Sequence, residues 1–118
     1  MNSTANDKHV LSEKLPRDVW LRVVLHAKTS NKGTGLFEGW LLGPDGNELG
    51  SFSELNINLG TGCFDSSGEM TYGVYPKVGL YAHDSGSYDN NEVRTLYFDD
   101  VRVLRGNPAC AFESVTAP

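Results

Sequence analysis

No apolar run in this 118-residue chain approaches the roughly 20 residues that a membrane-spanning helix needs, so no membrane partner is expected. The first ten residues, MNSTANDKHV, lack the apolar core of a signal peptide, and any export signal is expected outside this stretch. Cysteine is scarce. Cys63 and Cys110 are the two present, their separation matches no metal motif, and no second pair of ligands lies nearby. They read first as two unpaired thiols, with a disulfide as the alternative in a secreted protein. Positive charge is in deficit, 10 Lys and Arg against 15 Asp and Glu, giving a net charge of −5 and a pI near 5.0. That balance argues against a nucleic-acid partner and leaves an anionic ligand open where cations cluster locally. An amphipathic helix of three turns is also missing, which points away from helical architectures.

What is present is alternation. DVWLRVVLHAK (residues 18–28) sets Val19, Leu21, Val23, Leu25 and Ala27 on one face and Trp20, Arg22, Val24, His26 and Lys28 on the other. SNKGTG follows as a turn, and the Gly43-Pro44-Asp45-Gly46 run reads as a tight turn between two further strands. Residues 56–69 look like a loop, whereas KVGLYAHD and VRTLYFDDVRVL read as later strands. The 13 glycines and 5 prolines are spread along the chain, as turns between short strands require. The pattern predicts an all-β fold, an antiparallel β-sandwich or jelly roll in a compact or half version. One domain over residues 1–118 is expected, with residues 1–14 and 106–118 peripheral.

YPKVGLYAHD (residues 75–84) is the most informative stretch. As a strand it places Lys77, Gly79, Tyr81 and His83 in a row on one face. Gly79 leaves a gap where a ligand could lie against the backbone; a bulge is the alternative. Arg22, His26 and Lys28 lie on the face of their strand read as turned away from the core, and GLFEGW adds Glu38 and Trp40 by alternation. Taken singly, each has an ordinary reading: a half-wet strand tyrosine, surface histidines, edge charges, a core tryptophan. Together they describe a patch with cations, an aromatic platform and a phenol, provided that the strands are neighbours.

Tyr75, Lys77, Gly79 and Tyr81 have the spacing of the catalytic strand in alginate lyases, which reads approximately Tyr-Phe-Lys-Ala-Gly-Val-Tyr-Asn-Gln. The chain thus resembles the jelly-roll polysaccharide lyases, a concanavalin-like group that includes alginate, glucuronan and heparin lyases. TLYFDDVRV looks like their closing strand, and the likeness runs from about residue 18 to residue 104, as a C-terminal half. The chain departs from the alginate branch where Ala82-His83 replace Asn-Gln, and it lacks that branch's arginine-rich and Gln-Ile/Val-His strands.

The resemblance implies β-elimination on an acidic polysaccharide. A cation neutralises the uronate carboxylate, a base removes the C5 proton, and an acid protonates the departing 4-linked oxygen. It assigns catalysis to Tyr81, as acid and often base, with His26, Lys77 and Arg22 supporting. Substrate contacts then fall to Trp40, Glu38, Gly79 and His83. It also implies an extracellular or periplasmic location, and a homodimer that completes the exposed sheet. No cofactor is expected. Calcium at Asp89 to Glu92 or at Asp99 and Asp100 is a weaker reading than a polar turn. A non-catalytic carbohydrate-binding module and a ligand-free structural domain remain the other two readings.

Overall fold

The computed structural model describes residues 9–60, 62–71, 77–79, 91, 93, 95–106 and 108–117. Its centre is a three-stranded antiparallel sheet in the order β1-β2-β3, formed by β1 (Arg22–Lys28), β2 (Ser30–Leu42) and β3 (Glu48–Leu59). A six-residue helix, α1 (Ala111–Thr116), is the remaining regular element among the described residues. The chain is all-β in class, and these residues form one sheet.

β1 is shorter than its sequence pattern. Asp18 adopts a left-handed conformation (φ 60°), which an aspartate tolerates and a strand does not, so pairing begins only at Arg22. The predicted turn after β1 is absorbed into β2. Ser30, 2% exposed, organises it: its hydroxyl accepts from the amides of Lys32 (3.0 Å) and Thr34 (3.3 Å) and bonds the Thr34 hydroxyl (3.0 Å). Ser30→Ala leaves those amides unsatisfied and is expected to destabilise the protein by about 1–3 kcal/mol, read from urea unfolding.

The β2–β3 turn is the one the sequence announces. Gly43 N–H donates to Asn47 O (2.8 Å), Gly46 takes φ 82°, and the Asp45 carboxylate accepts from the Asn47 amide (3.2 Å). Strand β3 runs through the start of the predicted loop. Asn56, at φ 57°, is an extra residue in the ladder, because Leu36 faces Leu55 while Gly35 faces Ile57. Such a bulge resets the alternation, and Leu55 is 56% exposed where Ile57 is 1% exposed.

Beyond β3, Phe64 and Met70 bridge around a turn held by Asp65, whose carboxylate accepts from Ser67 N (2.8 Å), Ser67 Oγ (2.5 Å) and Glu69 N (3.1 Å). The Ser67 hydroxyl and these amides hold the Asp65 carboxyl below its ordinary 3.8. The turn's contribution is therefore complete above about pH 3.8 and fades as pH falls through the lowered value.

Burial differs from the sequence expectation on β1. Val23 and Leu25, on the face read as core, are 58% and 56% exposed, while Val24, among the polar residues, is 7% exposed. The reason lies in what covers each face. Trp40 lies directly opposite Val24 on β2 and meets Phe112 of α1, which covers this side. Phe37, Phe52 and Glu54 share the opposite face, where the His9 ring stacks on Phe52 at 4.1 Å and approaches Glu54 to 3.3 Å. Residues that the sequence left at the periphery at both ends thus pack on the sheet.

The expected strand over residues 93–104 does not form among the described residues. Tyr97, Phe98, Val101 and Val103 are exposed, and a strand needs a neighbour to accept its backbone hydrogen bonds. Residues 77–79 are likewise outside any strand, and residues 80–84 of that expected strand lie outside the described residues.

Candidate active site

Antiparallel register decides which of the candidate residues meet. In the β1–β2 pair, His26 lies directly opposite Glu38, and in the β2–β3 pair Glu38 lies directly opposite Ser53. Residues opposite one another share a face, so the three side chains form a row across the sheet. The distances make it a continuous network. His26 Nδ1 is 3.0 Å from Glu38 Oε2, and Ser53 Oγ donates to Glu38 Oε1 at 2.9 Å. A carboxylate can only accept, so Nδ1 carries a proton, and in the neutral form of the ring the lone pair lies on Nε2. Glu38 is the more enclosed partner at 21% side-chain exposure, against 45% for His26. This arrangement holds an imidazole in one tautomer with its basic nitrogen unengaged by the pair.

Arg22 and Trp40 occupy the same face further along, Trp40 one same-face step from Glu38 and Arg22 two from His26. Trp40 follows Glu38 by two on β2, and Arg22 opens β1 opposite Leu42. Both are engaged. The Arg22 Nη1 donates to the Thr116 carbonyl of α1, and its Nη2 lies 3.9 Å from Asp100 Oδ2. The Trp40 ring meets Phe112 edge-on, with centroids 5.2 Å apart. Asp100 is held chiefly by Arg102, through Nε at 2.8 Å and Nη2 at 2.7 Å. The Arg102 hydrogen bonds first, and then the Arg102 and Arg22 charges, keep its carboxyl below the usual range against a counteracting desolvation.

The structure therefore brings Arg22, His26, Glu38 and Trp40 onto one face. Lys77 and Gly79 are exposed and outside any strand, with Gly79 at φ 154° and no atom of the described residues within 4 Å of where a Cβ would stand. Tyr81 and His83 lie outside the described residues, as do Asp89 and Glu92. Asp99 and Asp100 turn to local partners, Asp99 Oδ1 accepting from the Asp100 amide at 2.8 Å. Among the described residues no cluster of three or more His, Cys, Asp or Glu could hold a metal, and Cys63 and Cys110 are unpaired and exposed.

Ser53, Asp100 and Phe112 were not among the sequence candidates. Alternation in SFSEL puts Ser51 and Ser53 on one strand face, but only the register sets Ser53 against Glu38. Nothing in the sequence separates Asp100 from Asp99, or pairs Phe112 with Trp40.

An all-β chain whose sheet presents an oriented imidazole, a guanidinium and an indole on one face has the groups that carbohydrate-active proteins use on acidic sugars. The polysaccharide lyase family model matches residues 2–102, and the chain belongs to that family. No curated protein and no solved structure gives a match. The chain carries a polysaccharide lyase-like, carbohydrate-active domain.

Proposed function

We propose that the chain cleaves uronate-containing polysaccharide by β-elimination, using the face that bears His26, Glu38, Arg22 and Trp40. The observation that carries this reading is the His26–Glu38–Ser53 row, which fixes a general-base imidazole within a family of polysaccharide lyases. Arg22 pairs with the uronate carboxylate so that charge can move onto it as the C5 proton leaves. His26 Nε2 takes that proton, Trp40 supports a sugar ring, and Tyr81 protonates the departing oxygen. Lys77 adds positive charge near the same carboxylate. Glu38 is a positioning residue in this scheme, because its two oxygens already serve His26 and Ser53.

The test is ultraviolet absorbance during incubation with alginate, glucuronan and heparin-type polymers, since the unsaturated product absorbs and the substrate does not. Growth of that absorbance on a uronate polymer is the expected result. Binding without any absorbance change would assign the face to a non-catalytic carbohydrate-binding module instead. Glu38→Gln loses the fixed tautomer but keeps the shape. It is expected to lower kcat at least about tenfold with KM little changed, the pattern of an interaction made only in the transition state.

A further inference from the structure

Helix α1 is too short to stand alone. It has six residues, none of them buried, and no side-chain N-cap, whereas isolated helices need about 12–15 residues even to be marginal. What holds it is the candidate site itself. Phe112 and Trp40 make a T-shaped ring contact at an interplanar angle of 76°. Arg22 donates to the Thr116 carbonyl, and Arg102 Nη1 donates to Ala117 O (2.6 Å) and Ser114 O (3.4 Å). Two guanidinium groups thus meet the carbonyl-rich, negative end of the helix. Asp100 binds Arg102 and lies beside Arg22. The helix also lies beyond residue 102, where the family match ends.

We propose that α1 and Asp100 form an intramolecular cap, occupying Trp40 and Arg22 as one sugar unit of an acidic polysaccharide would, so that the polymer binds by displacing it. The inference rests on the polysaccharide reading of this face. Phe112 lies against the indole that would support a sugar ring, and carbonyl and carboxylate oxygens take the guanidinium that a uronate carboxylate needs. The contacts that hold α1 fall on Trp40, Arg22 and Arg102 rather than on the His26–Glu38–Ser53 row, whose His26 side chain is 45% exposed. The cap therefore competes with binding, and because the polymer displaces it before reacting, it is absent from the complex in which protons move. By linkage, polymer binding must in turn release the helix.

Two variants of the full chain test this. Phe112→Ala removes the ring contact. Asp100→Asn removes the charge facing Arg22, and asparagine tolerates the left-handed backbone there (φ 51°). Tetrasaccharides of alginate, glucuronan and a heparin-type polymer are titrated into each by calorimetry, with amide hydrogen exchange followed in residues 111–116. Phe112→Ala is expected to bind about fivefold more tightly than the parent, with KM falling equally and kcat unchanged. Saturating tetrasaccharide is expected to erase exchange protection in α1 of the parent. Equal affinity in all three proteins with α1 still protected would overturn the cap and leave the polysaccharide reading standing. No binding by any of them would overturn both, whereas binding by the variants alone would be the strongest support for the cap.

Discussion

A His26→Gln variant is expected to lose about 10²–10⁴-fold in elimination rate, the range contributed by a positioned general base. Glutamine keeps a donor that can reach Glu38 Oε2, now 3.0 Å from the imidazole, so the row across the sheet need not collapse. What it cannot do is accept a proton at the position of Nε2. The loss should appear in kcat, with tetrasaccharide affinity close to the parent's, because Arg22 and Trp40 are untouched. Tyr81→Phe is expected to fall within the same range by removing the acid that the leaving oxygen needs. Parallel assays of unsaturated product and of binding separate the roles. Full activity in His26→Gln with loss in Tyr81→Phe would give both proton transfers to the tyrosine; full activity in both would remove His26 and Tyr81 from the chemistry.

Ile57→Ala is expected to cost about 2–5 kcal/mol, a large part of the 5–15 kcal/mol by which domains are usually stable. Ile57 is 1% exposed, and among the described residues only Val24 and Leu41 join it as buried hydrophobics. With so few buried side chains, little else can close over the cavity. Its surroundings are also stiff. The neighbouring Gly35 has no room for a side chain, since a Cβ there would stand 2.7 Å from Lys28 O and 2.8 Å from Ile57 O, both backbone atoms. The cavity would therefore persist rather than collapse. Urea unfolding should show a lower midpoint with an unchanged slope, and a shift below about 1 kcal/mol would mean that Ile57 lies outside the cooperative core. Val23→Ala, by contrast, should change little, because Val23 is 58% exposed despite its place in the alternating pattern.

Local chemistry made much of this legible. Alternation located β1 and put Arg22 with His26, and Glu38 with Trp40, on one face of their own strands, while the register made those faces match. Gly43, Pro44, Asp45 and Gly46 announced their turn, because each supplies a backbone angle or a local acceptor at short range. The Lys-x-Gly-x-Tyr spacing pointed to the polysaccharide lyases, the family whose model matches residues 2–102. Where the expectations parted from the structure, a partner was being chosen. Residues 30–35 read as a turn because their own angles allow one, yet they lie within β2, with Ser30 and Gly35 paired to Leu59 and Ile57 of β3. The bulge at Asn56 extends β3 through what looked like loop. VRTLYFDDVRVL has the composition of a strand but no neighbour to bond among the described residues.

By itself, then, the sequence determined the all-β class, the absence of any long apolar run, the turn chemistry and the residue types available for acidic-sugar chemistry. Each of these follows from side-chain period or local backbone preference. Only the tertiary structure decided that Ser53 meets Glu38, that Val24 rather than Val23 is covered, and that a six-residue helix lies on Trp40 and Arg22. Those outcomes depend on strand register and on which distant segment covers which face. Residues 22 and 116 are brought together by folding, and no pattern along the chain encodes their meeting.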